Sequence, residues 1–173
     1  MKHCKIISLI LSLCLVFGMA CVVSGAEAAG ENQVVYFGNT QWVELEDGRL
    51  LAADVMEQIP FDASGLNDAW EGSDAQAWCE EYAAELFEGE QAVVESVEFL
   101  SKDDAEKLSS AMLKASAGWW LSTAYGTAEE KFVCAVSDAG LVGHLHVAKN
   151  HGVRPVIALD TGKIVLKSEL YKN

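Results

Sequence analysis

GWWLSTAYG at residues 118–126 and GVRPVIALD at residues 152–160 are the two stretches that decide the fold. Both combine aromatic or β-branched residues with flanking glycines, a pattern typical of strands that end in turns. The first stretch opens with two adjacent tryptophans, and the second places Arg154 inside an apolar strand. We therefore expect a strand-rich unit near the end of the chain, against which the upstream residues pack.

The N-terminal part of the chain is predicted to form a meander of strands. Apolar runs at residues 34–37, 42–45 and 50–56 have strand character, and an Asp-Gly pair between the last two is a hairpin signal. Residues 57–72 contain a proline, two glycines and no regular apolar period, which indicates a connecting loop. We therefore expect three strands followed by an irregular connector.

Two helices are predicted between residues 73 and 118. Ser73 and Ser101 are the expected N-caps, because serine accepts a hydrogen bond from the first turn and acidic residues follow it. Gly89 and Gly118 are the expected ends. Apolar residues recur with helical spacing, which predicts one buried face per helix. These residues are Ala75, Trp78, Cys79, Tyr82 and Leu86 in the first helix, and Ala105, Leu108, Met112 and Ala115 in the second.

The last third of the chain is predicted to form antiparallel strands. Turns are expected at residues 137–140 and 150–152. Pro155 predicts an edge strand or a bulge, because proline cannot donate a hydrogen bond to a neighbouring strand. Strands, two helices and strands again predict a single α+β domain over residues 29–173. The expected strands are residues 119–122, 132–136, 141–148, 153–159 and 164–166.

The packing of these elements follows from their apolar faces. The first helix is expected to pack over the closing strands through Trp78, with Val156 or Ala158 beneath it. The closing strands are expected to pair beside residues 34–45, which would bring both ends of the domain together. The loop at residues 125–131 is then expected to be exposed.

Residues 1–28 have the pattern of a secretory signal peptide. A basic head precedes an apolar run over residues 6–20, and the Ala-Glu-Ala at residues 26–28 fits a cleavage site. The apolar run is shorter than the roughly 20 residues that a spanning helix needs. We therefore expect a secreted, extracellular protein with no membrane span in the mature chain. A lipoprotein processed at Cys21 is the alternative.

The charge of the chain limits its partners. The formal net charge is −14, from 26 acidic and 12 basic side chains. Nucleic acids and anionic membranes are bound by basic surfaces, so neither is an expected partner. The acidic residues also lack the spacing of a calcium-binding loop. We interpret the acidic residues as a solvated surface.

Three residues of the two closing stretches are candidates for ligand binding. Alternation along a strand would turn one of Trp119 and Trp120 inward and the other toward a ligand such as a sugar. The alternative is that both are core residues, because aromatic side chains dominate protein cores. Arg154 is either a ligand-binding guanidinium or a structural residue paired with a carboxylate, for which Asp160, Asp138 or a helix glutamate are candidates.

Histidines and cysteines supply the other candidate sites. His144 and His146 share one face of a predicted strand and His151 follows a turn, so these imidazoles are candidate zinc ligands, although a polar strand face is the preferred reading. In an exported chain Cys79 and Cys134 can form a disulfide, and two buried thiols are the alternative.

No catalytic residue and no cofactor is indicated by the sequence. A nucleophile elbow, a phosphate-binding loop and a dinucleotide fingerprint are all missing from the sequence.

Several motifs occur together in one order along the chain and resemble a known family. The family is a bacterial domain of unknown function common in exported proteins of gut Firmicutes, with a W-E-x-S box and closing W-W-L-R-S-P-G and G-V-R-P-A-L motifs. The resemblance covers residues 34–166. The matching residues are Phe37-Gly38, Trp42-Val43, Trp70-Glu71-Gly72-Ser73, Trp78, Trp119-Trp120-Leu121 and Gly152-Val153-Arg154-Pro155-Val156.

The resemblance has one clear departure and one wider implication. Residues 122–125 read STAY where the family has R-S-P-G, so a ligand site that uses that arginine does not carry over. The order of motifs is also similar to that of C-type-lectin-like and formylglycine-generating-enzyme-like domains. This similarity implies a C-type-lectin-like architecture, and it implies no particular function.

The sequence favours a non-enzymatic role. We expect an exported recognition or structural module that binds a glycan or a cell-surface protein. A hydrolase or metal-dependent enzyme on the same scaffold is the alternative. An enzyme should have a pocket with clustered, perturbed titratable groups, whereas a binding module should have an exposed aromatic patch.

Overall fold

The computed structural model describes residues 34–86, 88–127 and 129–160. The signal peptide predicted at residues 1–28 and the strand expected at residues 164–166 lie outside the described residues. Within them, the protein is a mixed α+β fold, mostly strands in two five-stranded sheets with a few short helices. The expected α+β class is confirmed.

The two sheets are built from strands that are distant in sequence. The first sheet has the order β1-β2-β3-β10-β5 and the second has the order β4-β9-β6-β7-β8. Neighbouring strands are antiparallel except β6 and β9. The strands are β1 (Val34–Phe37), β2 (Thr40–Glu44), β3 (Leu50–Ala52), β4 (Glu57–Pro60), β5 (Val94–Phe99), β6 (Trp119–Ala124), β7 (Phe132–Val136), β8 (Val142–His146), β9 (Asn150–Val153) and β10 (Pro155–Leu159). The helices are α1 (Asp74–Glu85), α2 (Glu88–Gln91), α3 (Lys102–Ala105) and α4 (Ser110–Leu113).

The predicted N-terminal meander forms β1, β2 and β3 of the first sheet. The hairpin between β2 and β3 turns where the Asp-Gly pair predicts it, and Gly48 has a φ of +83°. The closing strand β10 enters this sheet between β3 and β5. It therefore pairs with Leu50 and Leu51 of β3, and the expected pairing beside residues 34–45 is wrong.

The second sheet contains two strands that the sequence does not predict. The polar strand β4 lies in the expected connector, where it is an edge strand and pairs only with β9. The expected turn at residues 150–152 is part of β9. Gly152 permits close strand packing, because a Cβ there would lie 2.6 Å from the Gly118 carbonyl oxygen.

The closing apolar stretch divides between the sheets at Arg154. Residues before it belong to β9 of the second sheet, and residues after it form β10 of the first. Pro155 begins β10, which lies between two other strands, so the expectation of an edge strand is wrong. The proline is tolerated because it is the first residue of its strand.

The predicted second helix is divided into α3 and α4. Ser101 Oγ accepts from the Asp104 amide, as expected of an N-cap. Ser109 Oγ accepts from the Met112 amide and begins a new helix there. Serine favours caps over helix interiors because its side chain competes for main-chain hydrogen bonds, which explains why one periodic segment becomes two short helices.

The first helix, α1, has the predicted cap and apolar stripe. Ser73 Oγ accepts from the Gln76 amide, and the helix ends at Glu85 rather than at Gly89. It packs against β4 and β5, and Trp78 joins the apolar cluster around Phe61 and Trp120. The expected contact with Val156 is wrong, since Val156 belongs to the cluster on the other side of the second sheet.

Alanine substitutions of Trp120 and Trp78 should distinguish a fully buried core residue from a half-buried one. Trp120 is fully buried, so Trp120→Ala should reduce the free energy of unfolding by roughly 3–5 kcal/mol. Trp78 is half-buried, stacks on Tyr82 and donates to Glu57 Oε2 at 2.8 Å. Its replacement by alanine should cost about 1–3 kcal/mol, because less apolar surface is lost. Urea unfolding measures both, and a larger loss for Trp78→Ala would contradict this packing.

Candidate functional site

Trp119 and Trp120 are both fully buried, on opposite faces of the second sheet. The Trp119 indole donates to the Leu113 carbonyl at 3.0 Å, and the Trp120 indole donates to the Ile59 carbonyl at 2.9 Å. Both tryptophans are core residues, as the second interpretation of the sequence predicts, and neither turns toward a ligand, because apolar clusters cover both faces of this sheet. Neither ring presents a face to solvent in this arrangement.

Arg154 is 2% exposed and its guanidinium lies 5.0 Å from the centre of the Trp119 ring. It donates to main-chain carbonyls and forms no ion pair among the described residues. Burial lowers the pKa of Arg154 to about 10, so the side chain stays charged at neutral pH. The expected carboxylate partner is therefore replaced by carbonyl oxygens. They belong to Ala52 at 2.8 Å, Met112 at 2.9 Å, Leu113 at 3.3 Å and Ala53 at 3.4 Å.

The candidate zinc ligands lie on two different strands. His144 and His146 share one face of β8, as predicted, but β6 and β7 separate β8 from His151 on β9. Three strand spacings amount to about 14 Å, too far for one metal ion. His151 Nε2 donates to the Val136 carbonyl at 3.2 Å, and burial lowers the pKa of His151. Across the described ranges, no three His, Cys, Asp or Glu side chains converge as metal ligands.

Cys79 and Cys134 are buried free thiols. They belong to different apolar clusters, with Cys79 on the buried face of α1 and Cys134 on the other face of the second sheet. Burial raises the pKa of both thiols, so they are protonated at neutral pH. Cys79 also lines a cleft of about 260 Å³ between α1 and β5.

An aromatic patch lies at one corner of the second sheet and consists of Tyr125, Phe132, His144 and His146. Tyr125 and His144 are stacked, with ring centres 3.9 Å apart and an interplanar angle of 9°. Phe132 meets both histidines edge-on, at 5.5 and 5.6 Å. Tyr125 is 53% exposed and His144 is also exposed. The patch therefore presents aromatic faces together with polar ring atoms to solvent.

Local hydrogen bonds hold this patch in place. The Tyr125 amide donates to the Phe132 carbonyl at 2.8 Å, which joins the end of β6 to the start of β7. Lys131 Nζ lies 3.0 Å from Asp68 Oδ1, so an ion pair ties the connecting loop to residues 62–72. A Cβ at Gly126 would collide with the Asp68 carboxylate, so a larger residue there would displace the side chain that pairs with Lys131.

The sequence indicates the two histidines as candidate site residues, but it does not indicate the patch as a whole. Tyr125 appears in the sequence only at the start of an expected exposed loop, whose described residues 125–127, 129 and 130 are exposed. The signal that points to the patch is the pairing of Phe132 with His146 across the predicted hairpin. Directly opposed residues of antiparallel strands lie on the same face.

A charged cleft of about 460 Å³ separates the β2–β3 turn from the α3–α4 connection. A chain of ion pairs crosses it, with Arg49 Nη2 2.7 Å from Asp47 and 2.9 Å from Asp104, and Lys107 Nζ 2.8 Å from Asp104. The cleft is lined by Glu44, Leu45, Glu46, Asp47, Arg49, Leu100, Asp104, Lys107, Leu108, Ser109 and Met112.

The ion pairs keep two carboxylates of this cleft, Asp47 and Asp104, charged. Hydrogen bonding to Lys107, with a further bond from Arg49, lowers the pKa of Asp104 to about 2. Hydrogen bonding to Arg49 lowers the pKa of Asp47 and raises that of the guanidinium. Groups with such pKa values do not exchange protons near pH 7. The cleft is therefore better suited to binding charge than to acid–base chemistry.

Replacement of Arg154 should destabilise the protein strongly. Arg154→Met leaves several buried carbonyls without a donor, and each such group costs about 1–3 kcal/mol. We expect the free energy of unfolding to fall by about 2–5 kcal/mol in urea titrations. Arg154→Lys should recover only part of the lost stability, because an ammonium group reaches fewer of these carbonyls than a planar guanidinium. A loss below about 1 kcal/mol for Arg154→Met would contradict this role.

The ion pairs of the cleft predict a specific sensitivity to acid. The pKa of Asp104 is lower in the folded protein than its ordinary value of 3.8, so its stabilising effect is present above about pH 4 and is lost as the pH falls through about 2. Thermal unfolding across this range should show a smaller drop in Tm for Asp104→Asn than for the wild type. Asp103→Asn is the matched control, because Asp103 is exposed and forms no ion pair among the described residues. Equal drops in Tm for the wild type and both variants would contradict this stabilising role of Asp104.

Comparison with known proteins gives no assignment for this chain. No family model, curated protein or solved structure matches it. None of the helices in the described part of the chain is long and apolar enough to cross a membrane. The function is therefore argued from the geometry of the aromatic patch and the charged cleft.

Proposed function

We propose that the protein is an exported recognition module that binds a glycan through the aromatic patch. The observation that carries this proposal is the exposed stack of Tyr125 on His144, bordered by Phe132. Large aromatic side chains are normally buried, and a contiguous exposed group of them marks an interaction site. Sugar rings offer C–H faces that pack on such rings and hydroxyl groups that bond to their polar atoms.

The position of the patch supports a recognition role. It lies at the edge of the second sheet, and the stack joins Tyr125, at the end of β6, to His144 on β8, across β7. Rings held in this way lose little conformational entropy when a ligand binds. The hydroxyl of Tyr125 and the imidazole nitrogens can exchange hydrogen bonds with a polar ligand.

The alternative, a hydrolase or metal-dependent enzyme, has less support. Asp47 and Asp104 of the charged cleft are held in the charged form, and the buried thiols in the protonated form. A general acid or base works best when its pKa lies near the working pH. The candidate zinc ligands are divided between β8 and β9.

Export, family and architecture belong to the same proposal. Secretion is supported by the basic head, apolar run and cleavage pattern of residues 1–28. Membership of the Firmicutes exported family is supported by the order in which its motifs occur along the chain. A C-type-lectin-like architecture is consistent with two sheets and one long helix, and it would suit a glycan-binding role.

Binding to an array of immobilised glycans, followed by calorimetry with the best oligosaccharide, tests the proposal. Tyr125→Ala should weaken binding about tenfold or more, equivalent to about 1.4 kcal/mol. Tyr125→Phe should keep most of the affinity, since it retains the ring that packs on the sugar. His144→Ala should also weaken binding, because it removes the ring that supports Tyr125.

Tyr36→Ala is the matched control, because Tyr36 lies on β1 of the other sheet. It should leave glycan affinity unchanged. Binding that survives Tyr125→Ala and His144→Ala together would place the glycan elsewhere. No binding to any glycan, with binding to intact cells lost in Tyr125→Ala, would favour a cell-surface protein as the ligand.

A further inference from the structure

We propose that the charged cleft binds a basic peptide segment of another protein, with alternating aliphatic and lysine or arginine side chains. This site lies outside the aromatic patch and the proposal does not depend on glycan binding. It rests on three features of the cleft: its volume, its apolar floor and the unpaired carboxylates at its mouth. Each of them limits the chemistry of the occupant.

The floor of the cleft is apolar and belongs to the core. Leu45 and Leu100 are buried, and Leu108 and Met112 are half-buried against the same cluster. A volume of about 460 Å³ falls within the range of small-molecule and side-chain pockets. It has room for one or two aliphatic side chains of a peptide.

The mouth of the cleft carries negative charge in excess. Asp47 and Asp104 are paired with Arg49 and Lys107. The cleft also has two further carboxylates, Glu44 and Glu46, which form no ion pair or hydrogen bond with any described residue. Both side chains are exposed and lie two residues apart on either side of buried Leu45.

This combination favours a cationic and partly apolar occupant. An exposed lysine or arginine of a partner would pair with Glu44 or Glu46, while a neighbouring aliphatic side chain would reach Leu108. The net charge of −14 also attracts basic partners from a distance and repels acidic ones. A neutral glycan would leave the two carboxylates unpaired, so the cleft and the patch have different specificities.

Fluorescence anisotropy with labelled LKLKLK and LELELE peptides tests this site in the full chain. LKLKLK should bind and LELELE should not. Glu44→Gln with Glu46→Gln should weaken LKLKLK binding by about twofold to thirtyfold, since two exposed ion pairs would be lost. Leu108→Ser should weaken it as well, with circular dichroism confirming that the variant is folded.

Glu81→Gln with Glu85→Gln is the matched control, because it removes the same charge from exposed residues of α1, which does not line the cleft. An equal loss of binding in this control would indicate attraction to the overall charge and would overturn the proposal. Tyr125→Ala should leave peptide affinity unchanged. A loss of peptide binding in that variant would place the peptide at the aromatic patch and would also overturn it.

The C-terminal residues of this chain are a competing occupant, because residues 161–173 contain Lys163, Lys167 and Lys172. A full-length variant with these lysines changed to glutamine distinguishes the two. Unchanged affinity for LKLKLK supports an external partner. A tenfold gain in affinity would assign the cleft to the chain's own C-terminal segment and would overturn the proposal.

Discussion

The buried guanidinium of Arg154 is the interaction on which the rest of the structure depends. It lies where the chain passes from β9 of the second sheet to β10 of the first. Its donors bind carbonyls at the end of β3 and at the end of α4, two segments that are far apart in sequence. The last carbonyls of a helix have no partner within it, so the end of α4, where Leu113 is buried, needs an external donor. One charged side chain thus joins both sheets and a helix.

The aromatic patch lies where the core ends along the β7–β8 hairpin. Val136, Cys134 and Phe132 alternate along the same face of β7, and only the first two are fully buried. Phe132 is half-buried, and the facing positions of β8 are histidines. The row of side chains on this face therefore extends past the edge of the core and is aromatic there. Tyr125 covers His144 there, and the exposed stack is the result.

The aromatic patch and the charged cleft use different physical interactions. The patch has aromatic faces and polar ring atoms, which suit a neutral ligand. In the cleft, Arg49 connects Asp47 to Asp104, and Glu44 and Glu46 remain unpaired at the mouth. Since salt screens exposed charges but has little effect on apolar contacts, the two surfaces are expected to respond differently to ionic strength.

The local features can be predicted from the sequence: the α+β class, the meander, the cap at Ser73 and the β7–β8 hairpin. Each depends on neighbouring residues through turn chemistry, capping or apolar period. Features that depend on distant segments emerge only when the chain is folded. Gly152 has the local pattern of a turn residue, but it lies in β9 and packs closely against Gly118. The polar strand β4 forms because β9 is available as its partner. The carbonyl partners of Arg154 and the stack on Tyr125 likewise join residues whose proximity no local pattern encodes.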